Sequence, residues 1–240
     1  MPESLAQILV RMFKYLRRFL LETAICFAGL ITILYWLSPH FLSFLQSHFH
    51  QKLAFFGVLE PMLALLKLSS IGALILLAPW ILWRMSQGLV EVLGFSRKIS
   101  LGFMLSALLL FYAGTLFCFF VTLPFGINFL LDYQSQHLRP VIAVGKFVNF
   151  VGLFLISFGV IFELPLIMTL LCRLKICSPE VFRKYRRFAI LLIAIMAAIL
   201  TPTPDIFNMT MMGLPLYILY EAGIIVAKIV NPPSTYLDKA

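Results

Sequence analysis

The sequence predicts an all-α integral membrane protein with six transmembrane helices and both termini cytoplasmic, and three observations lead there. The chain of 240 residues is 62% hydrophobic and only 12% charged, and its mean hydropathy of +1.00 lies far outside the range of water-soluble domains. Its apolar residues fall in runs of bilayer-crossing length, separated by short polar segments. Its 19 Lys and Arg gather in alternate polar segments: the amino-terminal segment, second turn and fourth turn hold four, three and six of them, and Lys228 and Lys239 stand at the carboxyl-terminal end. Lys52, Lys67, Arg139 and Lys146 are all that the opposite side receives. Cytoplasmic segments keep the excess of cations, which puts both termini inside. The net charge of +9 is therefore a topology signal, and no nucleic-acid partner is expected.

Residues 1–19 form a basic amphipathic cytoplasmic segment, with Arg11, Lys14, Arg17 and Arg18 interleaved among Met12, Phe13, Leu16 and Phe19. It runs into a long apolar stretch without a small-residue cleavage pattern, so no removed signal peptide is expected. The transmembrane domain covers residues 20–230 and a cytoplasmic tail residues 231–240. The first span covers residues 20–37, opens near Glu22, and is expected to end at Ser38-Pro39. Residues 39–62 read as an outside loop with one or two short interfacial helices. Spans follow at 63–83 and 101–123, the second closed by Pro124, with Arg84, Glu91, Arg97 and Lys98 in the turn between them. Residues 125–146, with Asp132, His137 and Arg139, form the next outside loop. The fourth span covers 147–172. The fifth, 188–200, is short: its thirteen residues make about 20 Å of helix against about 30 Å of hydrocarbon. Thr201-Pro202-Thr203-Pro204-Asp205 leads to the sixth span, which carries Pro215. No internal repeat or domain boundary is evident.

The fourth span holds the sharpest anomaly. Glu163 sits inside an apolar run, where a carboxylate costs roughly 3 kcal/mol or more unless it has a partner or a wet cavity. Pro165, two residues on, cannot donate to the Ile161 carbonyl and is expected to kink the helix. Helical spacing puts Asn149, Gly152, Gly159 and Glu163 on one face, small and polar as close packing in lipid requires. Two readings stand side by side here: a carboxylate paired within the bundle, and a docking point for a polar group of another membrane protein or a substrate.

Other candidates are weaker. His48 and His50, with His40 nearby, make a poor ligand set without a known third member, and the four cysteines fit no zinc pattern, so neither metal nor cofactor is expected. The six cations of residues 173–187 read as a topology anchor. There is no phosphate-binding glycine loop, nucleophile triad or carboxylate pair, so the chain is not read as an enzyme.

The blocks FGVIFELPLIMTLL and CSPEVFRKYRRFAILLIAIMAAILTPTPDIFNMTMMGLPLYILYEAGI, together with Glu60-Pro61 followed by Lys67, resemble the TatC family, the multispanning subunit of the twin-arginine protein translocase. The resemblance covers about residues 10–230 and is strongest where F-E-x-P and T-P-x-P-D keep their spacing. It implies a cup-shaped six-helix bundle in the bacterial cytoplasmic membrane. It also implies a receptor and assembly platform that exports folded proteins on the proton motive force, with signal peptides, TatA- and TatB-type single-span proteins and further copies as partners. Glu163, with Gly159 and Pro165, would then form the docking region, while Glu60, Pro61, Lys67, Pro79, Pro202, Asp205 and Glu221 match further family positions.

Two positions depart from the family pattern. Lys14 and Ser96 stand where the family carries the glutamates that bind the signal's arginine pair. Glu91, in the same turn as Arg97, is the carboxylate that substitutes for them if recognition has shifted; relaxed recognition and loss of the standard role are the other readings. A different functional class also fits the residues: a small secondary transporter using Glu163 as its proton-coupling carboxylate.

Overall fold

Residues 5–49, 53–55, 57–92, 94–132, 142–200 and 206–230 are described by a computed structural model. The elements are α1 (Leu5–Phe49), β1 (Leu53–Ala54), α2 (Glu60–Glu91), α3 (Arg97–Phe117), a π-helical turn (Cys118–Thr122), α4 (Leu123–Asp132), β2 (Ile142–Ala143), α5 (Val144–Phe162), α6 (Leu164–Arg173), α7 (Pro179–Lys184), α8 (Arg186–Leu200) and α9 (Ile206–Val230). Five helical stretches among the described residues are long and apolar enough to cross a membrane: Phe13–Phe49, Glu60–Glu91, Arg97–Ile127, Val144–Arg173 and Met212–Val230. Of the two helices outside these stretches, α7 has 6 residues and α8 has 15, the shortness its apolar run foretold.

Proline does not end helices here in the way the sequence suggested. α1 continues through Pro39 to Phe49, so residues 39–49 are helix rather than a loop. Pro39 deprives the Tyr35 carbonyl of its usual donor, and the Ser38 hydroxyl donates to that same oxygen at 2.7 Å. Pro124 likewise fails to close the third span. A π-helical turn precedes it, with the Leu123 N–H bonded to the Cys118 carbonyl, and α4 carries the chain on to Asp132. Arg84 and Glu91 belong to α2, not to the turn after it. That turn is reversed by Gly94 at φ 69°, whose N–H bonds to Val90.

The structure divides into two units, whose boundaries run through α3 and α5. The first takes the described residues of Met1–Leu109 and Gln134–Ile156. In it α1 and α2 form an antiparallel hairpin, with Leu34 against Gly72 and Tyr15 against Gly88. α5 joins through Gly152, where an added Cβ would lie 2.0 Å from the Ile71 Cδ1. A two-residue parallel bridge, Leu53 opposite Ile142 and Ala54 opposite Ala143, ties the segments before α2 and α5. It is invisible to periodicity because two residues make no pattern.

The second unit takes the described residues of Leu110–Tyr133 and Ser157–Ala240. Here Gly114 and Gly159 let α3 and α5 approach closely: a Cβ on Gly114 would meet the Phe158 carbonyl oxygen at 2.7 Å, and one on Gly159 would meet the Phe111 Cε2 at 2.7 Å. Met168 of α6 packs with Tyr220 and Ile224 of α9 in a cluster that also takes Phe182, Ala189 and Ile193. α6 ends in a Schellman-type turn, with Lys175 N–H bonded to Cys172 and Ile176 N–H to Leu171. Lys175 takes the left-handed position, φ 58°, that glycine usually fills.

These contacts set one stability test. Gly114→Ala drives a methyl into a backbone oxygen that cannot swing aside, so it lowers stability by about 2 kcal/mol. Gly29→Ala meets no atom within 4 Å and leaves stability unchanged or slightly raised. Unfolding of the purified variants in detergent checks the pair.

Candidate functional site

Glu163 stands at the junction of α5 and α6. Pro165 cannot accept the helix register of α5, and the expected kink is a full interruption of the helix. The Glu163 N–H bonds three residues back to Val160, and its carbonyl then accepts from both Leu166 and Ile167, so α6 starts afresh from it. Pro165 lies at the first turn of α6, where its missing N–H leaves no helical bond unmade. Its buried ring packs against α9 at Gly223, where an added Cβ would lie 3.1 Å from the Pro165 Cα.

The carboxylate itself is half-buried, and its Oε1 is buried without a hydrogen-bond partner among the described residues. In an apolar span such an oxygen carries the full desolvation penalty, of about 1–3 kcal/mol or more for a charged group. The reading of a carboxylate paired within its own chain finds no partner for this atom among the described residues. The shared face predicted from helical spacing is divided: Gly152 packs on Ile71, Gly159 packs on Phe111 and Thr115, and Asn149 is exposed. Both glycines serve contacts within the chain.

Two ion-pair clusters escaped the sequence reading. In the first unit, Arg84 of α2 pairs with Glu22 of α1, Nη2 to Oε2 at 2.6 Å, and Arg18 adds Nε to Oε1 at 2.8 Å. The Arg84 guanidinium lies over Tyr15 at 5.5 Å and Trp80 at 6.0 Å, and the Tyr15 hydroxyl donates to the Arg84 carbonyl. The available signal was opposite charge near the same end of two successive antiparallel helices. In the second unit, Glu221 accepts from Arg186 Nη2 at 2.6 Å and from the Tyr217 hydroxyl at 3.0 Å.

The other candidate positions are spread out. Glu60 and Pro61 open α2, and the Glu60 Oε1 accepts the Gly145 N–H at 3.1 Å. Lys67 and Pro79 are exposed on the same helix. Glu91 is exposed at the end of α2, and Arg97 at the start of α3; Lys14 and Ser96 are exposed as well. Pro202, Asp205, His50, His137 and the tail lie outside the described residues. Among the described residues no group of His, Cys, Asp and Glu is gathered as a metal site would need.

The description "Sec-independent protein translocase protein (TatC)" belongs to the family whose model matches residues 11–215. The chain belongs to the TatC family. The TatC protein of Carboxydothermus hydrogenoformans is 38% identical over 185 residues, 75% of each chain. TatCy of Bacillus subtilis is 30% identical over 221 residues, 89% of this chain and 85% of its own. A crystal structure described as the twin arginine translocase receptor TatC superposes with a TM-score of 0.79 at 25% identity, covering 91% of this chain and 99% of that one. The same receptor crystallised in the detergent DDM gives 0.80 at 26% identity, over 90% and 99%. TatC membership accords with the multispanning helical fold.

The Glu22–Arg84 pair sets a second test. Arg84 keeps only 14% of its side chain exposed and Glu22 keeps 32%, so removing one partner strands a largely desolvated charge. Glu22→Ala lowers stability by about 2 kcal/mol, and Glu22→Ala with Arg84→Met recovers at least half of that loss. A double-mutant cycle on unfolding measures the recovery.

Proposed function

We propose that this chain is the receptor and assembly subunit of a twin-arginine protein translocase, moving folded proteins across the bacterial cytoplasmic membrane on the proton motive force. Family membership supports the class of activity, and the unpartnered, buried Glu163 Oε1 supports the working site. A buried acceptor at a helix break favours a donor brought by another helix, since a hydrogen bond made in hydrocarbon removes the desolvation penalty that the lone oxygen carries. The occupants are polar side chains of TatA- and TatB-type single-span proteins. In this reading α8 is the fifth of six spans and both termini are cytoplasmic, in keeping with the cation map. Its 15 residues make about 22 Å of helix, so the bilayer beside it thins to match.

Signal recognition is assigned to Glu91. It is exposed at the carboxyl end of α2, where the helix dipole adds negative potential, and no ion pair among the described residues engages it. Lys14 would repel an arginine pair, and Ser96 offers only a neutral acceptor.

The deciding experiment is complementation of a translocase-deficient host with reporters carrying twin-arginine or twin-lysine signals. Export of the twin-arginine reporter supports the proposal, and export of neither ends it. Glu163→Ala is expected to accumulate normally, because it removes an unsatisfied oxygen, while co-purification of single-span partners falls at least about tenfold. Failure of Glu163→Ala to reach the membrane would make the carboxylate structural. For Glu91→Gln the readout is signal-peptide affinity, expected to drop about tenfold or more; unchanged binding removes Glu91 from the site.

A further inference from the structure

We propose, resting on the receptor role given above, that Glu22 is the second carboxylate of the signal site, and that Arg18, which holds it within the chain, is a placeholder that an arginine of the guest displaces. Glu91 alone offers one carboxylate to a ligand with two guanidiniums, and Lys14 and Ser96 supply none. The α1–α2 hairpin brings the missing one. Tyr15, Arg18 and Glu22 follow steps of three and four on α1, and Arg84, Gly88 and Glu91 steps of four and three on α2, so each set shares a face. The two faces meet. Tyr15 packs on Gly88, its hydroxyl donates to the Arg84 carbonyl, and Glu22 and Glu91 both lie within electrostatic reach of it. Glu91 stands seven residues, about 10 Å of helix, beyond the Arg84 that Glu22 holds. Neighbouring side chains of an extended peptide point to opposite sides, so an adjacent arginine pair laid across the seam presents one guanidinium to each helix.

The bonding at Glu22 shows which contact gives way. Its Oε2 accepts from Arg84 Nη2 at 2.6 Å and its Oε1 from Arg18 Nε at 2.8 Å, one guanidinium on each oxygen. Arg84 is fixed: only 14% of its side chain is exposed, its Nη1 also donates to Gln87, and its guanidinium lies over Tyr15 and Trp80. Arg18 keeps 78% of its side chain exposed, and an exposed pair four residues apart on a helix is weak enough to exchange for another guanidinium. Oε1 is therefore already placed to accept a guanidinium, and a lysine, a point charge without the planar fork, fills that position less well. Arg17 and Arg18 are themselves an adjacent arginine pair at the head of an apolar helix, so the chain carries its own copy of the ligand's charge pattern. Arg17 is exposed and forms no ion pair among the described residues.

The test is the affinity of the full chain, purified in detergent, for labelled peptides with an apolar stretch after Arg-Arg, Arg-Gln, Gln-Arg or Lys-Lys. The unaltered chain is expected to bind Arg-Arg about tenfold tighter than either single-arginine peptide. Glu22→Ala with Arg84→Met leaves the net charge unchanged and restores stability lost by Glu22→Ala alone. In that double variant Arg-Arg is expected to fall to within about twofold of one single-arginine peptide, because one guanidinium has lost its carboxylate while the other keeps Glu91. A merely structural Glu22 would lower all the peptides together, and that result overturns the assignment. Arg18→Gln and Arg17→Gln remove the same charge from the same turn, but only the first frees Oε1. Arg-Arg is therefore expected to bind Arg18→Gln at least about twofold tighter than Arg17→Gln; equal affinities mark a diffuse charge effect and overturn the placeholder. Failure of the unaltered chain to prefer Arg-Arg over Lys-Lys ends the receptor reading itself, and this site with it. That preference kept, beside unchanged discrimination in the double variant, ends Glu22 alone.

Discussion

A backbone carbonyl inside hydrocarbon has no water to turn to, and a proline in a spanning helix withdraws the donor that one of them would have had. Three prolines meet three different solutions. At Pro39 a neighbouring hydroxyl, Ser38, supplies the donor that the ring removed, and α1 runs on. Ahead of Pro124 the helix widens by one residue into a π turn and continues as α4. At Pro165 the chain restarts its helix outright, with Glu163 as the hinge between the two registers. Only the third leaves a polar side-chain atom unsatisfied, and it does so at the position where the function is proposed.

Close packing supplies the cohesion that hydrophobic transfer supplies in water, because lipid tails are as apolar as the side chains they touch. Glycine is therefore placed where helices approach. Gly72, Gly88 and Gly152 serve the first unit, and Gly114, Gly159 and Gly223 serve the second, each against a side chain or backbone atom at 3.4 Å or less from the Cβ it lacks. Gly29, on the exposed part of α1, has no such neighbour. Charges follow a different logic. Glu22 with Arg84, and Glu221 with Arg186, neutralise each other between consecutive or near helices; Tyr217 adds its hydroxyl to Glu221, and Tyr15 donates to the Arg84 backbone carbonyl.

Much of this was legible in the residues, and the reasons for the rest are physical. The long spans follow from apolar length alone, and the break at Glu163 follows from a proline two residues away, because both depend on local chemistry. Pro39 and Pro124 misled because the same ring can be bridged by a serine or absorbed by a π turn, and the rescue lies one step beyond the proline rule. The ion pairs needed residues 62 and 35 positions apart in sequence to be brought together by packing, which periodicity does not encode. Lys175 was read as a topology cation, yet it also occupies the left-handed position that ends α6. The face drawn through Asn149, Gly152, Gly159 and Glu163 was geometrically sound along one helix, but two of its members are spent on different neighbours and one points outward.

The bridge between Leu53–Ala54 and Ile142–Ala143, with the nearby bond from the Gly145 N–H to Glu60, has a consequence for the order of assembly. Both link segments nearly ninety residues apart in the chain, so the first unit closes only when α5 arrives. A ribosome adding about 5–20 residues per second leaves the α1–α2 hairpin waiting several seconds for that partner. During that interval the Ile71 face that Gly152 will cover is open to lipid or to whatever insertion factor holds the hairpin. The unit is thus finished late, by α5, and a chain halted before Ile142 would leave a hairpin without its closing helix.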